Sequence, residues 1–180
     1  GAIGYGGPCF PRDNVALTAL GSRIGAPVLL AEATDTANRE EVGRLADLVT
    51  DKLPPSGTVG LLGLAYKPNT DVTEESQGLL LAQELVKRGI PTVLYDPAAL
   101  DSVAETLDGR ARIAPSMAEC IEQSDVVVIT TPWEEFSHIP IESLARQGTP
   151  RVLVDCWRIL DTGEIESVVD YVPLGRRAAV

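Results

Sequence analysis

Histidine is nearly missing from this sequence, with His138 standing alone. Cysteine is scarce and scattered, at Cys9, Cys120 and Cys156, with no CxxC pair and no Cys/His cluster. Neither a zinc site nor a disulfide framework can therefore organise the fold, and an odd count at low density fits a reducing cytoplasm. Aromatic residues make up only 4% of the chain, so Leu, Val, Ile and Ala must fill any core. Basic residues are outnumbered 15 to 26, for a formal net charge of -11. No basic run offsets this, which argues against nucleic acid and anionic membrane surfaces as partners. No apolar run reaches membrane-spanning length, and no signal-peptide pattern is present. An initiator Met is also missing. The chain opens inside what reads as a functional loop, as expected of a fragment.

What is present is enough for one ordinary domain with an appended piece. The chain has 180 residues, and its 44% hydrophobic content argues against disorder. Near the start stands Gly4-Tyr5-Gly6-Gly7-Pro8-Cys9-Phe10-Pro11-Arg12-Asp13. Its glycines let a backbone approach a ligand closely. A helical pattern from Asn14 to about Leu20 follows, so Cys9 is expected in a loop leading into a helix N-terminus. The partial positive charge of such an end favours an anionic sulfur. Asp13 lies one helical turn further on, with its carboxylate expected near that sulfur. From the residues alone two readings of Cys9 stand: a nucleophile with an acid/base partner, or a small buried hydrophobe beside a turn.

The first 53 residues read as helical. One helix ends around Gly21 and Gly25, and Pro27 opens a segment of roughly 25 residues with apolar positions at three- and four-residue spacing. A helix that long suits a bridge between domains or a dimer contact. Pro54-Pro55-Ser56-Gly57 breaks the pattern and marks the expected boundary between units 1–54 and 55–180. From Thr58 strands and helices alternate. Strands are expected over Thr58–Ala65, Pro91–Tyr95, Ala111–Ala114, Asp125–Thr130 and Arg151–Asp155. Helices are expected over Ser76–Arg88, Leu100–Leu107 and Ser116–Gln123, and helical turns over Trp133–Phe136 and Ile141–Gln147. The stretch Ile165–Tyr171 is ambiguous. This order predicts an α/β fold, a parallel sheet with helices on both faces, preceded by the long helix.

Gly60-x-x-Gly63-x-Ala65 is a degenerate dinucleotide fingerprint, and packing of a helix on a strand accounts for it better than NAD binding. The loop behind it, Tyr66-Lys67-Pro68-Asn69-Thr70-Asp71, offers side chains rather than bare amides. Lys67, just past the carboxyl end of the first strand, stands where open α/β sheets bind ligands. It is either a point charge for a phosphate or a solvated surface charge.

Several long stretches resemble the UDP-glucose/GDP-mannose dehydrogenase family. Cys9-Phe10-Pro11-Arg12-Asp13 is similar to its Cys-Phe-Pro-Lys-Asp. Gly63-Leu64-Ala65-Tyr66-Lys67-Pro68-Asn69-Thr70-Asp71 is similar to Gly-Leu-Ala-Phe-Lys-Pro-Asn-Thr-Asp. Glu75-Ser76, Tyr95-Asp96-Pro97 and Asp155-Cys156-Trp157-Arg158-Ile159-Leu160-Asp161 look like its later motifs, and Asn38-Arg39-Glu40-Glu41 resembles an Asn-x-x-Gln segment. The resemblance implies a Rossmann-like sheet domain that binds a nucleotide-sugar, preceded by the end of a helical dimerisation domain. It implies NAD as cofactor, bound mainly by an N-terminal domain that this chain lacks. It makes Cys9 the nucleophile that forms a thiohemiacetal and then a thioester, with Asp13 helping to activate water. Tyr5, Gly6 and Gly7 correspond to the loop around the sugar, and Tyr66, Lys67 and Arg158 to nucleotide-sugar contacts. A homodimer through the long helix is implied as well. Departures exist: Glu74 stands where the family usually has an Arg that contacts NAD, Pro8 replaces a frequent Ser, and Arg12 replaces a Lys.

Three roles follow as expectations: the C-terminal portion of a nucleotide-sugar dehydrogenase, a nucleotide-sugar-binding module without redox chemistry, or a dimerisation element. Retention of both Cys9 and Asp13 favours the first, since a mere binder needs neither. Cys120 and Cys156 are expected to be structural, and His138 a surface loop residue.

Overall fold

The computed structural model describes residues 3–175. Two helices come first, α1 (Phe10–Ile24) and α2 (Leu29–Asp51). Helix α1 begins four residues before the expected Asn14, because Pro11 occupies the first turn, where its missing N–H costs nothing. It also runs past Gly21 and stops at Gly25, whose left-handed backbone (φ 71°) caps it. Helix α2 extends over 23 residues and buries Val42, Leu45, Ala46 and Val49, one stripe at three- and four-residue spacing.

Six strands follow: β1 (Val59–Leu62), β2 (Thr92–Tyr95), β3 (Arg112–Ile113), β4 (Val126–Ile129), β5 (Arg151–Asp155) and β6 (Val169–Pro173). Between them lie α3 (Gln77–Lys87), α4 (Leu100–Leu107), α5 (Met117–Glu122), a 3-10 turn over Glu134–His138, α6 (Ile141–Leu144) and α7 (Thr162–Ile165). Ser116 caps α5 by accepting a hydrogen bond from the Glu119 N–H at 3.2 Å, the expected capping geometry. The ambiguous stretch near Ile165 resolves into the end of α7 and the edge strand β6.

All strand pairs are parallel, in the order β3-β2-β1-β4-β5-β6. This is the Rossmann-like order, with the chain reversing its direction of travel between β1 and β4. Side chains alternate across the sheet. Leu61, Leu94, Val126, Val128 and Val154 face one side, where α2, α3 and α4 cover them. Leu62, Val93, Val127, Ile129 and Leu153 face the other, under α5, Phe136 and Leu144. Burial on both faces explains the uninterrupted apolar runs of β1 and β4. Leu45, Ala46 and Val49 of α2 belong to the first of these cores, so the second half of the long helix is rooted in the sheet. Among the described residues no helix is long and apolar enough to cross a membrane.

Candidate functional site

The loop ahead of Cys9 is docked against the sheet unit at three consecutive residues. Tyr5 is gripped first. Its N–H donates to Asn38 Oδ1 at 2.8 Å, and its carbonyl accepts from Asn38 Nδ2 and from Gln77 Nε2, both at 3.0 Å. Its hydroxyl accepts from Asn14 Nδ2 at 2.9 Å, and its ring meets Phe10 edge-on at 4.6 Å. Gly6 lies against the carbonyl of Glu75, where a Cβ would come within 2.2 Å of the oxygen. Gly7 is buried, adopts φ +87°, and donates its N–H to the carbonyl of Glu74 at 2.9 Å. A Cβ on Gly7 would stand 2.7 Å from the Tyr66 ring. Only glycine meets both demands at this position.

Cys9 follows as the N-cap of α1, with its side chain exposed. The Asp13 N–H donates to the Cys9 carbonyl at 2.8 Å, which places the two residues one helical turn apart as the spacing predicts. The Asp13 carboxylate is held by its neighbour: Arg12 Nη2 stands 3.1 Å from Asp13 Oδ1. A hollow of about 390 Å³ lies beside this loop, bounded by Gly7, Pro8, Arg12, Glu74 and Glu75.

Across from the Cys9 loop, β1 ends in the Tyr66-Lys67 loop. Lys67 is exposed, and its ammonium lies over the Tyr66 ring at 5.3 Å from the centroid. The Tyr66 ring is therefore approached by both Gly7 and Lys67. The fold thus brings Tyr5, Gly6, Gly7, Cys9, Tyr66 and Lys67 to one place. Arg158 is exposed on the loop after β5, two strands along the same edge of the sheet. The loop after β4 lies between them and ties them together. Thr131 Oγ1 donates to the Ala65 carbonyl at 2.7 Å, Thr130 Oγ1 to the Gly63 carbonyl, and Trp157 Nε1 to the Thr130 carbonyl at 2.9 Å.

The fingerprint-like glycines serve packing, as the sequence suggests. A Cβ on Gly60 would strike Ser124 Oγ at 2.2 Å, and one on Gly63, at φ +104°, would strike the Thr131 N at 2.6 Å. Left-handed backbones lie at this end of the molecule. Glu75 (φ 50°) and Arg158 (φ 55°) both adopt the left-handed region without being Gly, Asn or Asp. Tyr95, at the end of β2, is pushed up to about 12 by burial and then by the Glu135 carboxylate, so its phenol is neutral near pH 7. Cys120 and Cys156 are buried, and burial raises both thiols, Cys120 to about 12. His138 is exposed.

Sequence reasoning did not assign roles to Asn38, Gln77, Thr130 or Thr131. The contacts of Asn38 and Gln77 with Tyr5 cross 33 and 72 residues, so no local pattern announces them. Only the likeness around Asn38 pointed at any of the four.

The family model for the UDP-glucose/GDP-mannose dehydrogenase family, UDP binding domain, matches residues 60–162. The UDP-glucose 6-dehydrogenase AglM of Haloferax volcanii is 32% identical over 163 residues, which cover 90% of this chain and 37% of that protein. The UDP-glucose 6-dehydrogenase YwqF of Bacillus subtilis is 27% identical over 183 residues, covering 99% of this chain and 41% of that protein. Among solved structures, a UDP-glucose dehydrogenase from the hyperthermophilic archaeon Pyrobaculum islandicum superposes with a TM-score of 0.81 at 26% identity, over 95% of this chain and 38% of that one. The chain thus spans about two-fifths of the length of these curated relatives, 37% and 41%. The matched segment runs from Gly60 in β1 through β5 and includes the Tyr66-Lys67 loop and the Arg158 loop. The chain belongs to the UDP-glucose/GDP-mannose dehydrogenase family and carries that family's UDP binding domain.

Proposed function

We propose that this chain holds the nucleotide-sugar, and supplies the nucleophile, in an NAD-dependent dehydrogenase that oxidises a sugar primary alcohol to a uronic acid. Residues 55–180 are the nucleotide-sugar unit, and residues 1–54 are the end of a helical unit bearing the Cys9 loop. The observation that supports this reading is the close approach of Gly7 to the Tyr66 ring, with the exposed Cys9 two residues further along the chain.

In this reading Tyr66, Lys67 and Arg158 bind the nucleotide diphosphate. Two cations offset charge that the net -11 of the chain would otherwise repel. Tyr5, Gly6 and Gly7 line the sugar. The Cys9 thiolate adds to the carbonyl carbon of the aldehyde stage, a C–S bond forming as the carbonyl electron pair moves onto oxygen, so the aldehyde cannot diffuse away. Loss of a hydride from the resulting thiohemiacetal leaves a thioester on Cys9; Asp13, oriented by Arg12, then accepts a proton from the water that attacks the acyl carbon, the C–S bond breaks and the Cys9 thiolate leaves.

NAD, the implied hydride acceptor, does not fit this sheet. Gly60 and Gly63 are packed against Ser124 and Thr131, and Asp96, where a dinucleotide sheet offers a free carboxylate to a ribose, is bonded to backbone N–H groups. The dinucleotide site is therefore assigned to residues outside this chain. A second copy of the chain is the proposed cover for the apolar tip of the α1–α2 hairpin, where Leu20, Ile24, Leu29 and Leu30 are exposed.

Calorimetric titration of UDP, UDP-glucose, GDP-mannose and NAD tests the reading. A nucleotide or nucleotide-sugar is expected to bind, and NAD to give no binding heat. Tight NAD binding with none of the other ligands bound overturns it.

A further inference from the structure

We propose that Asp96 and Asp155 are paired positioning residues that hold the two ligand loops of this site in their binding geometry. The proposal rests on the reading of Lys67 and Arg158 given above.

Each aspartate closes a parallel strand, Asp155 as the last residue of β5 and Asp96 directly after β2. In the order β2-β1-β4-β5 they stand on either side of the crevice between β1 and β4. Both are buried, at 1% and 0% exposure, and neither is matched by an arginine or lysine among the ion pairs of the described residues. A buried carboxylate is costly unless hydrogen bonds compensate it. Here the compensation comes almost entirely from loop backbone. Asp96 Oδ2 accepts from the N–H groups of Leu64 and Ala65 at 2.6 and 3.0 Å and from Trp133 Nε1 at 3.2 Å, while Oδ1 accepts from Ala98 and Ala99, both at 2.9 Å. Asp155 Oδ1 accepts from Trp157 and Arg158 at 3.0 and 2.6 Å, and Oδ2 from Ile159, Leu160 and the Tyr171 hydroxyl at 2.9, 3.2 and 2.9 Å.

Five donors fill the roughly four lone-pair positions of each carboxylate, so neither has capacity left for a ligand hydroxyl. Their sign is also wrong for direct contact with a diphosphate. What they determine is loop shape. Asp96 reaches sideways from β2 to fix the turn that leads from β1 into Tyr66 and Lys67. Asp155 folds its own loop around itself, and the shortest of its backbone bonds, 2.6 Å, goes to Arg158, the residue in the left-handed conformation. Trp133 and Trp157 then link the two arrangements, through Asp96 and the Thr130 carbonyl.

The test is a pair of double-mutant cycles read by UDP affinity: Asp155→Asn with Arg158→Ala, and Asp96→Asn with Lys67→Ala. Asn conserves volume but turns an N–H₂ toward N–H donors. Each Asn variant alone is expected to weaken UDP binding about tenfold. In the matching alanine background, where the positioned side chain is gone, the further loss should be under about twofold. Thermal midpoints measured in parallel separate this from stability, because a purely structural role lowers the midpoint by similar amounts in both backgrounds and leaves the affinity losses additive. Additive losses, or unchanged affinity in the Asn variants, overturn the proposal. If Asp155→Asn does not fold, Tyr171→Phe, which removes one donor and keeps the carboxylate, enters the same cycle, with a smaller loss that must again shrink in the Arg158→Ala background. If Arg158→Ala and Lys67→Ala both bind UDP as the parent does, the underlying site assignment fails instead.

Discussion

Asn38 and the peptide of Tyr5 exchange two hydrogen bonds, the Tyr5 N–H donating to Oδ1 at 2.8 Å and Nδ2 donating to the Tyr5 carbonyl at 3.0 Å. A side-chain amide here pairs with backbone as a neighbouring strand would. Asn38→Ala removes both bonds and should cost about 1 to 3 kcal/mol. The more specific outcome is faster amide exchange at Tyr5, read by NMR or mass spectrometry, with Asn38→Asp intermediate because it keeps the acceptor. Unchanged protection at Tyr5 would show that the loop is held by other contacts.

Gly7→Ala should be more severe than its size suggests. The added methyl meets the Tyr66 ring at 2.7 Å in a backbone region that alanine avoids. A loss of more than about 1 kcal/mol is expected, with a lowered thermal midpoint. A midpoint equal to the parent's would mean that the loop is not seated on Tyr66.

The three cysteines should separate cleanly by reactivity. Cys9 is exposed, whereas burial raises both other thiols, that of Cys120 to about 12. A disulfide reagent should titrate one thiol in the native protein and all three in denaturant, and Cys9→Ser should abolish the native reaction. Native labelling of Cys120 or Cys156 at a comparable rate would contradict the buried placement.

Lys67→Ala is expected to weaken the best nucleotide ligand by about ten- to a hundredfold, since a hydrogen bond to a charged group contributes roughly 1.5 to 3 kcal/mol. Arg158→Lys should also lose affinity, because an ammonium cannot reproduce a planar fork. Calorimetry with UDP decides, and wild-type affinity in both variants moves the pocket elsewhere.

Asp125 provides an acid-sensitive tie between segments distant in sequence. Its carboxylate accepts from Arg146 at 2.7 Å and from the Thr58 N–H at 2.9 Å. Burial alone would raise its pKa, but these partners outweigh it and hold the group below its ordinary 3.8. The folded protein therefore binds this proton less readily than the unfolded chain. The contribution is complete above the unfolded value and is lost as pH falls through the folded one. Urea midpoints of Asp125→Asn and the parent should differ at neutral pH and converge as the pH falls below the ordinary 3.8. A constant difference across that range would sink the assignment.

The sheet was legible because its central strands are buried on both faces, so β1, β4 and β5 read as unbroken apolar runs. Strand β6 was not, for the opposite reason. It is an edge strand with Asp170 exposed and Pro173 at its end, a residue that edges tolerate and interiors do not. The start of α1 was legible only in part. The helix begins at Phe10 rather than Asn14, with Pro11 in its first turn, where proline is tolerated. At the site, Cys9, Asp13, Tyr66 and Lys67 were nominated by motifs that are continuous in the chain. The parts played by Asn38, Gln77 and Asp96 were not readable, because each acts on a segment 31 to 72 residues away, whereas Asp155 bonds the backbone two to five residues further along its own loop.

The rooting of α2 in the sheet makes its hairpin with α1 a lever. Val42, Leu45, Ala46 and Val49 form the fulcrum, and Leu30, 85% exposed, is the free end. Twelve residues separate Leu30 from Val42, an arm of about 18 Å, whereas Asn38 lies only about 6 Å out. A tilt of about 5° would move the tip by roughly 1.5 Å and Asn38 by about 0.5 Å over those arms. A displacement of the apolar tip is thereby geared down about threefold at Asn38, which holds Tyr5. A partner seated on the tip would move the Cys9 loop in small increments, with the sheet as the fixed frame.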